Sequence, residues 1–316
     1  MTLIIAVASH DNAILASDRR LTFPDGSVAH DETCKLTVYA CNDAKVMIAY
    51  TGLASIGGDS TGDWIINTLS TASKEEHSIY KVIDNFIKIA NSAYEQLRDV
   101  RFKLELIFAG YQYPDSGVAE PMIWKISNLD NDNEFKTIYC HGDKGVYFEL
   151  AGNACGVSED TKSKIRDLML QKQPAHGIEM KLVNTIKTAS KKTPTVGRQI
   201  NSCCLNSSLN SQFTATYHSD ITQRNMYAVN SVFAIANDSP SVMKGATLTV
   251  GKDCPPVSLP KAKPNQICPC GSGEKYKRCH GNIKYPYLPL SHEVDFTDDT
   301  ILKSGSKFTI RSYGAY

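Results

Sequence analysis

Residues 2–22 read TLIIAVASHDNAILASDRRLT, and they contain two short apolar runs, LIIAVA at 3–8 and AILAS at 13–17, separated by His10, Asp11 and Asn12. Polar turn formers between apolar runs of this length predict a strand, a tight turn and a second strand. The second run ends in Asp18, Arg19 and Arg20, and a threonine stands directly behind Met1. The pattern recurs at once, with CKLTVYA at 34–40, the polar break CNDAK, and VMIAYTG at 46–52. The chain therefore begins as two hairpins.

From Asp63 the period changes. WIINTLSTA is followed by a run with apolar residues at Ile79, Val82, Ile83, Phe86, Ile87, Ala90 and Tyr94, the three-to-four spacing of an amphipathic helix. Strand signals return in LELIFAGYQY, EPMIWKI, FKTIYC and VYFEL, broken by turn-rich PDSG and DNDN. Helical period resumes at SEDTKSKIRDLMLQK, with Ser158 placed to cap it, and in EMKLVNTIKTASK, which runs to the break at Pro194. INSCCL, QFTATYH and MYAVNSVFAIA then read as strands. Strands, two helices, strands, two helices, strands is a block order, and it argues against a doubly wound parallel sheet. It predicts an α+β fold, a four-layer αββα sandwich of two mainly antiparallel sheets with helices outside each.

Beyond Asn237 the texture shifts to prolines, at 240, 255, 256, 260 and 264, with few apolar residues. The expected organisation is a main domain at 1–240, a proline-rich linker at 241–263, a small module at 264–283 and a tail at 284–316. A formal net charge of +1 over 316 residues provides no global field for nucleic acid or an acidic membrane, and no apolar run approaches the roughly 20 residues that span a bilayer. Ten cysteines, mostly scattered through predicted strands, fit a reducing cytoplasm, where the sequons at Asn206 and Asn237 carry no meaning.

The small module contains CPCGSGEKYKRCHG, with Cys268 and Cys270 flanking a proline and Cys279 adjoining His280. Three thiolates and an imidazole suit one tetrahedral Zn2+, and the Gly271, Ser272, Gly273 turn folds the two ligand pairs toward each other. Four side-chain ligands leave no open position, so the expected ion is structural, with no cofactor for catalysis. The stretch resembles the SEC-C motif, a zinc-binding element found at the end of the bacterial secretion ATPase and appended to many other proteins. That resemblance implies a docking element for a protein partner. Lys261, Lys263, Lys275, Lys277 and Arg278 make the module basic, but within the knuckle Tyr276 alone is able to stack on a base, which ranks nucleic acid below protein.

Once Met1 is removed, Thr2 carries a free α-amine beside its own hydroxyl. An α-amine titrates at about 7.7–8.0, so one residue supplies both nucleophile and base. The run TLIIAV, the turn, AILASDRRLT, Lys35 and IAYTGLA together resemble the proteasome-type β subunits of the Ntn hydrolases. The resemblance implies that Thr2 is the nucleophile, that Lys35 tunes it, that Asp18 and Arg20 position Lys35, and that the Gly52 N–H supports the oxyanion. It also implies peptide or protein substrates and assembly into a homo-oligomer, with activation by removal of Met1 alone. Lys35 comes one residue later than the family spacing, a shift the HDETC loop absorbs.

Two departures stand out. Asn153 in AGNACG replaces a family serine, and TPTVGR keeps only Gly197 of an Asp and Ser-Gly group. A catalytically inactive scaffold that recruits a partner through the knuckle is therefore the competing expectation.

Other candidates have simpler accounts. SIGGDSTGDW between Ser55 and Trp64 lacks the lysine of a phosphate loop and reads as a capped helix start. Cys203 and Cys204 point to opposite faces of a strand as core thiols, and His141 and His218 are expected to be structural.

Overall fold

The alternation of burial along the central strands shows how the layers are built. The computed structural model describes residues 2–23, 25–41, 43–56, 59–74, 78–96, 103–114, 118–129, 134–208, 213–218, 231–236, 239–244, 263–266, 275, 277, 291–294 and 308–313. β1 (Leu3–Ala8) is buried at every position, as is nearly all of β2 (Asn12–Asp18). Successive side chains on a strand face opposite ways. Ile4 and Ala6 accordingly enter one apolar cluster while Leu3, Ile5 and Val7 enter another. A strand covered on both faces has no polar side to show, which is why LIIAVA is continuous.

Between β2 and the second hairpin lie two short strands, β3 (Leu21–Thr22) and β4 (Val28–His30), which pair with each other. β5 (Leu36–Cys41) and β6 (Ala44–Gly52) follow, then the small pair β7 (Ser55–Ile56) and β8 (Asp59–Ser60). Helix α1 (Thr61–Ala72) starts where Ser60 Oγ accepts the Asp63 N–H at 3.1 Å, so the SIGGDSTGDW segment ends in an N-cap. α2 (Ile79–Gln96) packs beside α1. The middle of the chain supplies β9 (Leu104–Gln112), β10 (Glu120–Ser127), β11 (Lys136–Tyr139) and β12 (Tyr147–Gly152). Next come α3 (Glu159–Leu170), capped by Ser158, and α4 (Ala175–Ser190). β13 (Ile200–Asn206), β14 (Phe213–His218), β15 (Ser231–Ala236) and β16 (Ser239–Lys244) complete the main block, and β17 (Ser291–Val294) and β18 (Phe308–Tyr313) come from the tail.

Two seven-stranded sheets result, ordered β12-β1-β2-β13-β14-β18-β17 and β11-β10-β9-β6-β5-β15-β16. Their pairings are antiparallel except β14 with β18 and β5 with β15. Val46, Ile48, Leu106 and Phe108 of the second sheet join α1 and α2 residues such as Leu69 and Phe86 in one cluster. Met47, Ala49, Ile107 and Ala109, on the opposite faces of β6 and β9, join Ile4, Leu15 and Cys203 of the first sheet. Leu3, Ile5 and Ile14 meet Ile165, Leu182 and Ile186 of α3 and α4. The clusters thus stack helices, sheet, sheet, helices. Each buried aliphatic side chain contributes about 1.5–3 kcal/mol by leaving water.

Near the carboxyl end the reading of the sequence and the structure differ. β16 runs across the expected boundary at residue 240; Pro240 fits there because β16 is an outermost strand, where a missing N–H is tolerated. Residues 308–313, expected as tail, pair with β14. The four expected zinc ligands, Cys268, Cys270, Cys279 and His280, lie outside the described residues. Among the described residues no helix is long and apolar enough to cross a membrane.

Candidate active site

One end of the sandwich collects the start of β1, the end of β2, the approach to β5, the end of β6, the end of β12 and the start of β13. The register brings them together: Ile4 pairs Ser17, Leu36 pairs Ala49, Leu3 pairs Gly152, and Ile200 pairs Asp18. Thr2, Asp18 and Lys35 meet there, exposed to only 3%, 1% and 2%.

Asp18 accepts three main-chain N–H groups, from Leu3 at 2.7 Å, Arg20 at 2.8 Å and Gly197 at 3.1 Å. It thereby fixes the residue after Thr2, the turn after β2 and the loop before β13. Burial pushes its carboxyl pKa up, against the lowering effect of Lys35 and these three bonds. Lys35 Nζ donates to Thr2 Oγ1 and to the Arg20 carbonyl at 2.5 Å, and it stands 3.8 Å from Asp18 Oδ1. Burial lowers the Lys35 pKa, Asp18 and Asp31 oppose the shift, and nearby Arg19 adds to it. An ammonium drawn toward neutrality beside a hydroxyl is suited to exchange a proton with it.

Arg20 acts on this cluster with its carbonyl. Its guanidinium turns away, gripping Asp31 in a two-point pair at 2.6 and 2.8 Å and donating to the Pro194 carbonyl at 2.6 Å. Arg19, fully buried, donates to Asn201 Oδ1 at 3.2 Å and to the Glu32 carbonyl, and lies over the Tyr217 ring. Its carbonyl accepts the Thr33 N–H at 3.2 Å. The two arginines thus anchor residues 31–33 directly ahead of Lys35.

Gly52 ends β6 at φ 116°, and a Cβ there would sit 2.0 Å from the Lys103 carbonyl oxygen. Only glycine fits. The neighbouring Thr51 accepts the Thr2 N–H at 3.2 Å through Oγ1. Across the cluster, Gly152 at φ 76° lies against the Thr2 carbonyl, where a Cβ would come within 1.9 Å, and its N–H donates to Glu105 at 2.8 Å. Asn153 donates its main-chain N–H to the Thr2 carbonyl at 2.8 Å, while its Nδ2 reaches Thr195 at 3.3 Å. Its Oδ1 is buried with no hydrogen-bond partner among the described residues.

Sequence reasoning missed Thr51, Gly152, Glu105 and Asp31. Two of these left a signal. Thr51 is a polar residue on the face of β6 that otherwise carries Met47 and Ala49 toward the other sheet, and Gly152 closes a strand as Gly52 does.

Two other expectations concern side chains of β13 and β14. Cys203 and Cys204 face opposite clusters, and burial raises both thiol pKa values, Cys204 to about 12. His218 Nε2 lies 2.8 Å from Ser202 Oγ in a buried group with Glu179.

The SEC-C motif family matches residues 265–282. The chain is also similar to protein translocase subunit SecA of Rubrobacter xylanophilus, 58% identical over 31 residues, and of Burkholderia ambifaria, 38% identical over 66 residues. These matches cover 10% and 21% of this chain, which spans only 3% and 7% of those relatives.

Among solved structures, the chain is similar to Anbu (ancestral beta-subunit) from Yersinia bercovieri, with TM-score 0.48 and 13% identity over 64% of this chain and 80% of that one. An Anbu (Gly-1) mutant from Hyphomicrobium gives 0.45 and 11% over 79% and 88%, and HslV from Trypanosoma brucei gives 0.39 and 18% over 65% and 99%. Scores and identities this low leave the functional reading to the geometry itself.

Proposed function

We propose that the chain is a proteasome-like N-terminal-threonine hydrolase that cleaves peptide or amide bonds after Met1 is removed. The observation that carries this reading is the hydrogen bond from buried Lys35 to Thr2 Oγ1, with Asp18 on the other side of the lysine. Thr2 Oγ1 attacks the substrate carbonyl carbon as its proton passes to the α-amine. Lys35, whose pKa burial depresses, tunes the hydroxyl and the amine together. The Gly52 N–H, at the open end of β6, is the donor assigned to the oxyanion. The intermediate collapses, the C–N bond breaks, and the proton moves from the α-amine to the departing amine. Water then attacks the acyl ester, giving up a proton to the α-amine, and the acid leaves as Thr2 Oγ1 regains its hydrogen.

The second part of the reading concerns the carboxyl-terminal module. Cys268, Cys270, Cys279 and His280 have the donor chemistry of a structural Zn2+ site, and the ion would order a segment with little core of its own. The module serves to dock a protein substrate or partner, and the main block is assigned to a homo-oligomer. Metal analysis is expected to find one zinc per chain, lost on joint Cys268→Ser and Cys270→Ser substitution. Zinc content unaffected by those changes would remove the assignment.

The hydrolase reading is tested by intact mass and by release of a fluorophore from a panel of peptide amides. The expected result is a chain beginning at Thr2 that cleaves at least one amide, and a Thr2→Ala variant that cleaves none. A chain that retains Met1 and cleaves no amide would leave the scaffold reading in its place, and cleavage that survives Thr2→Ala would remove Thr2 as the nucleophile.

A further inference from the structure

The hydrolase reading requires the Thr2 nitrogen to be held so that its lone pair, rather than an N–H, faces the nucleophile's proton. The serine that the family resemblance leads one to expect is replaced by Asn153, whose side chain makes no hydrogen bond to Thr2 among the described residues. The nitrogen instead meets Thr51 Oγ1 at 3.2 Å. Thr51 is itself 4% exposed and stands directly opposite Glu105 across β6 and β9. Glu105 accepts the Gly152 N–H, and the absent Cβ of Gly152 leaves room beside both the Thr2 carbonyl and Thr51 Oγ1; a Cβ would lie 2.9 Å from that oxygen. The nitrogen, hydroxyl and carbonyl of Thr2 therefore each have a dedicated contact: Thr51, Lys35 and Asn153.

We propose that Thr51 is the positioning residue of the α-amine, the acceptor that orients the base, with Glu105 and Gly152 fixing the wall behind it. This inference rests on the hydrolase reading. An acceptor oxygen binds an ammonium more strongly than a neutral amine, because the hydrogen bond becomes charge-assisted. Thr51 therefore raises the amine's basicity as well as aiming it.

The test compares wild type, Thr51→Val and Thr51→Ser, each freed of Met1 as verified by intact mass. One readout is the pH profile of kcat/KM on a peptide amide. The other is the pH dependence of Thr2 α-amine acetylation by limiting acetic anhydride, read by mass spectrometry. Valine keeps the branched shape and removes the acceptor. It is expected to lower kcat/KM about tenfold, the equivalent of roughly 1.4 kcal/mol, and to move both the acid limb and the labelling curve to lower pH. Serine is expected to restore both, which a merely structural loss would not permit.

If wild type hydrolyses and the Thr51→Val labelling curve superimposes on its own, this inference alone falls. If the freed wild type hydrolyses nothing, the hydrolase reading falls, and the labelling comparison still decides whether Thr51 holds the amine. A chain that keeps Met1 overturns both.

Discussion

Arg20 touches Lys35 through its main-chain carbonyl, 2.5 Å from Nζ, while its guanidinium points the other way and grips Asp31. The carbonyl survives any substitution, so Arg20→Ala is expected to act through the loop. Losing a two-point charged pair and the bond to the Pro194 carbonyl should destabilise the fold by about 1–3 kcal/mol in urea unfolding. Peptide hydrolysis should persist at a reduced rate, in contrast to Lys35→Ala, which removes the group on Thr2 Oγ1 and should abolish it. Equal losses in the two variants would show that the Arg20 side chain acts on the chemistry directly.

Asp18 is the most connected group of the site, and its neutral analogue should be poorly tolerated. An asparagine oxygen can accept some of the three N–H groups, but its amide nitrogen then confronts donors, and Lys35 is left buried without its carboxylate. Breaking a buried pair in this way typically costs about 3–5 kcal/mol. Asp18→Asn is therefore expected to fold marginally and to lose hydrolysis, as judged by denaturant midpoint and rate together. A variant of wild-type stability would show that the carboxylate's charge is unnecessary to the fold.

Gly152 presents a sharper steric test than Gly52. A Cβ at 152 would overlap the Thr2 carbonyl at 1.9 Å, in a left-handed conformation that side chains resist. Gly152→Ala must push β12 away from β1 at Thr2 itself, so it should lose hydrolysis and cost more than about 1 kcal/mol of stability. Gly52→Ala clashes with Lys103 on the far side of β6, and its damage should centre on the β6 and β9 edge. Hydrogen exchange of the Leu3 and Asn153 amides separates the two: Gly152→Ala should expose both, Gly52→Ala neither.

The sequence disclosed the groups whose chemistry is rare and whose spacing is set by strands. Antiparallel pairing within the first hairpin accounts for Asp18 beside the start of β1, whereas Lys35 approaches Thr2 from the other sheet, a juxtaposition that only the family resemblance implied. The layers were legible for a similar reason, since runs such as LIIAVA have to be covered on both faces. Arg20 was identified as a residue, but no pattern tells whether a carbonyl or a guanidinium does the work. Glu105 was hidden because its place depends on β9 lying beside β6, a pairing between strands separated by two helices, and Thr51 showed only as a polar residue on an otherwise apolar face. β16 and β18 were hidden by composition: a proline at 240 and polar flanks around 308–313 read as linker and tail, while β16 takes a sheet edge that tolerates the proline and β18 pairs with β14 and β17 on either side.

The group formed by Glu179, Ser202, His218 and His176 makes a prediction independent of the candidate active site. Ser202 Oγ donates to Glu179 Oε1 at 2.6 Å, His176 Nδ1 lies 3.3 Å from Oε2, and His218 Nε2 lies 3.7 Å from Oε1. Burial raises the Glu179 pKa, but the bonds from His176, His218 and Ser202 outweigh it and hold the carboxyl well below the usual range. A depressed carboxylate pKa contributes stability that is present in full above the unfolded value, about 4.3, and is lost as pH falls toward the folded one. Urea unfolding between pH 3 and pH 7 should therefore show stability falling below about pH 5 in wild type. In Glu179→Gln the same limb should be shallower, on a baseline lower at pH 7 by about 1–3 kcal/mol for the weakened bonds to Ser202 and His218. Parallel acid limbs in the two proteins would mean that Glu179 does not link α4 to β13 and β14 through its charge.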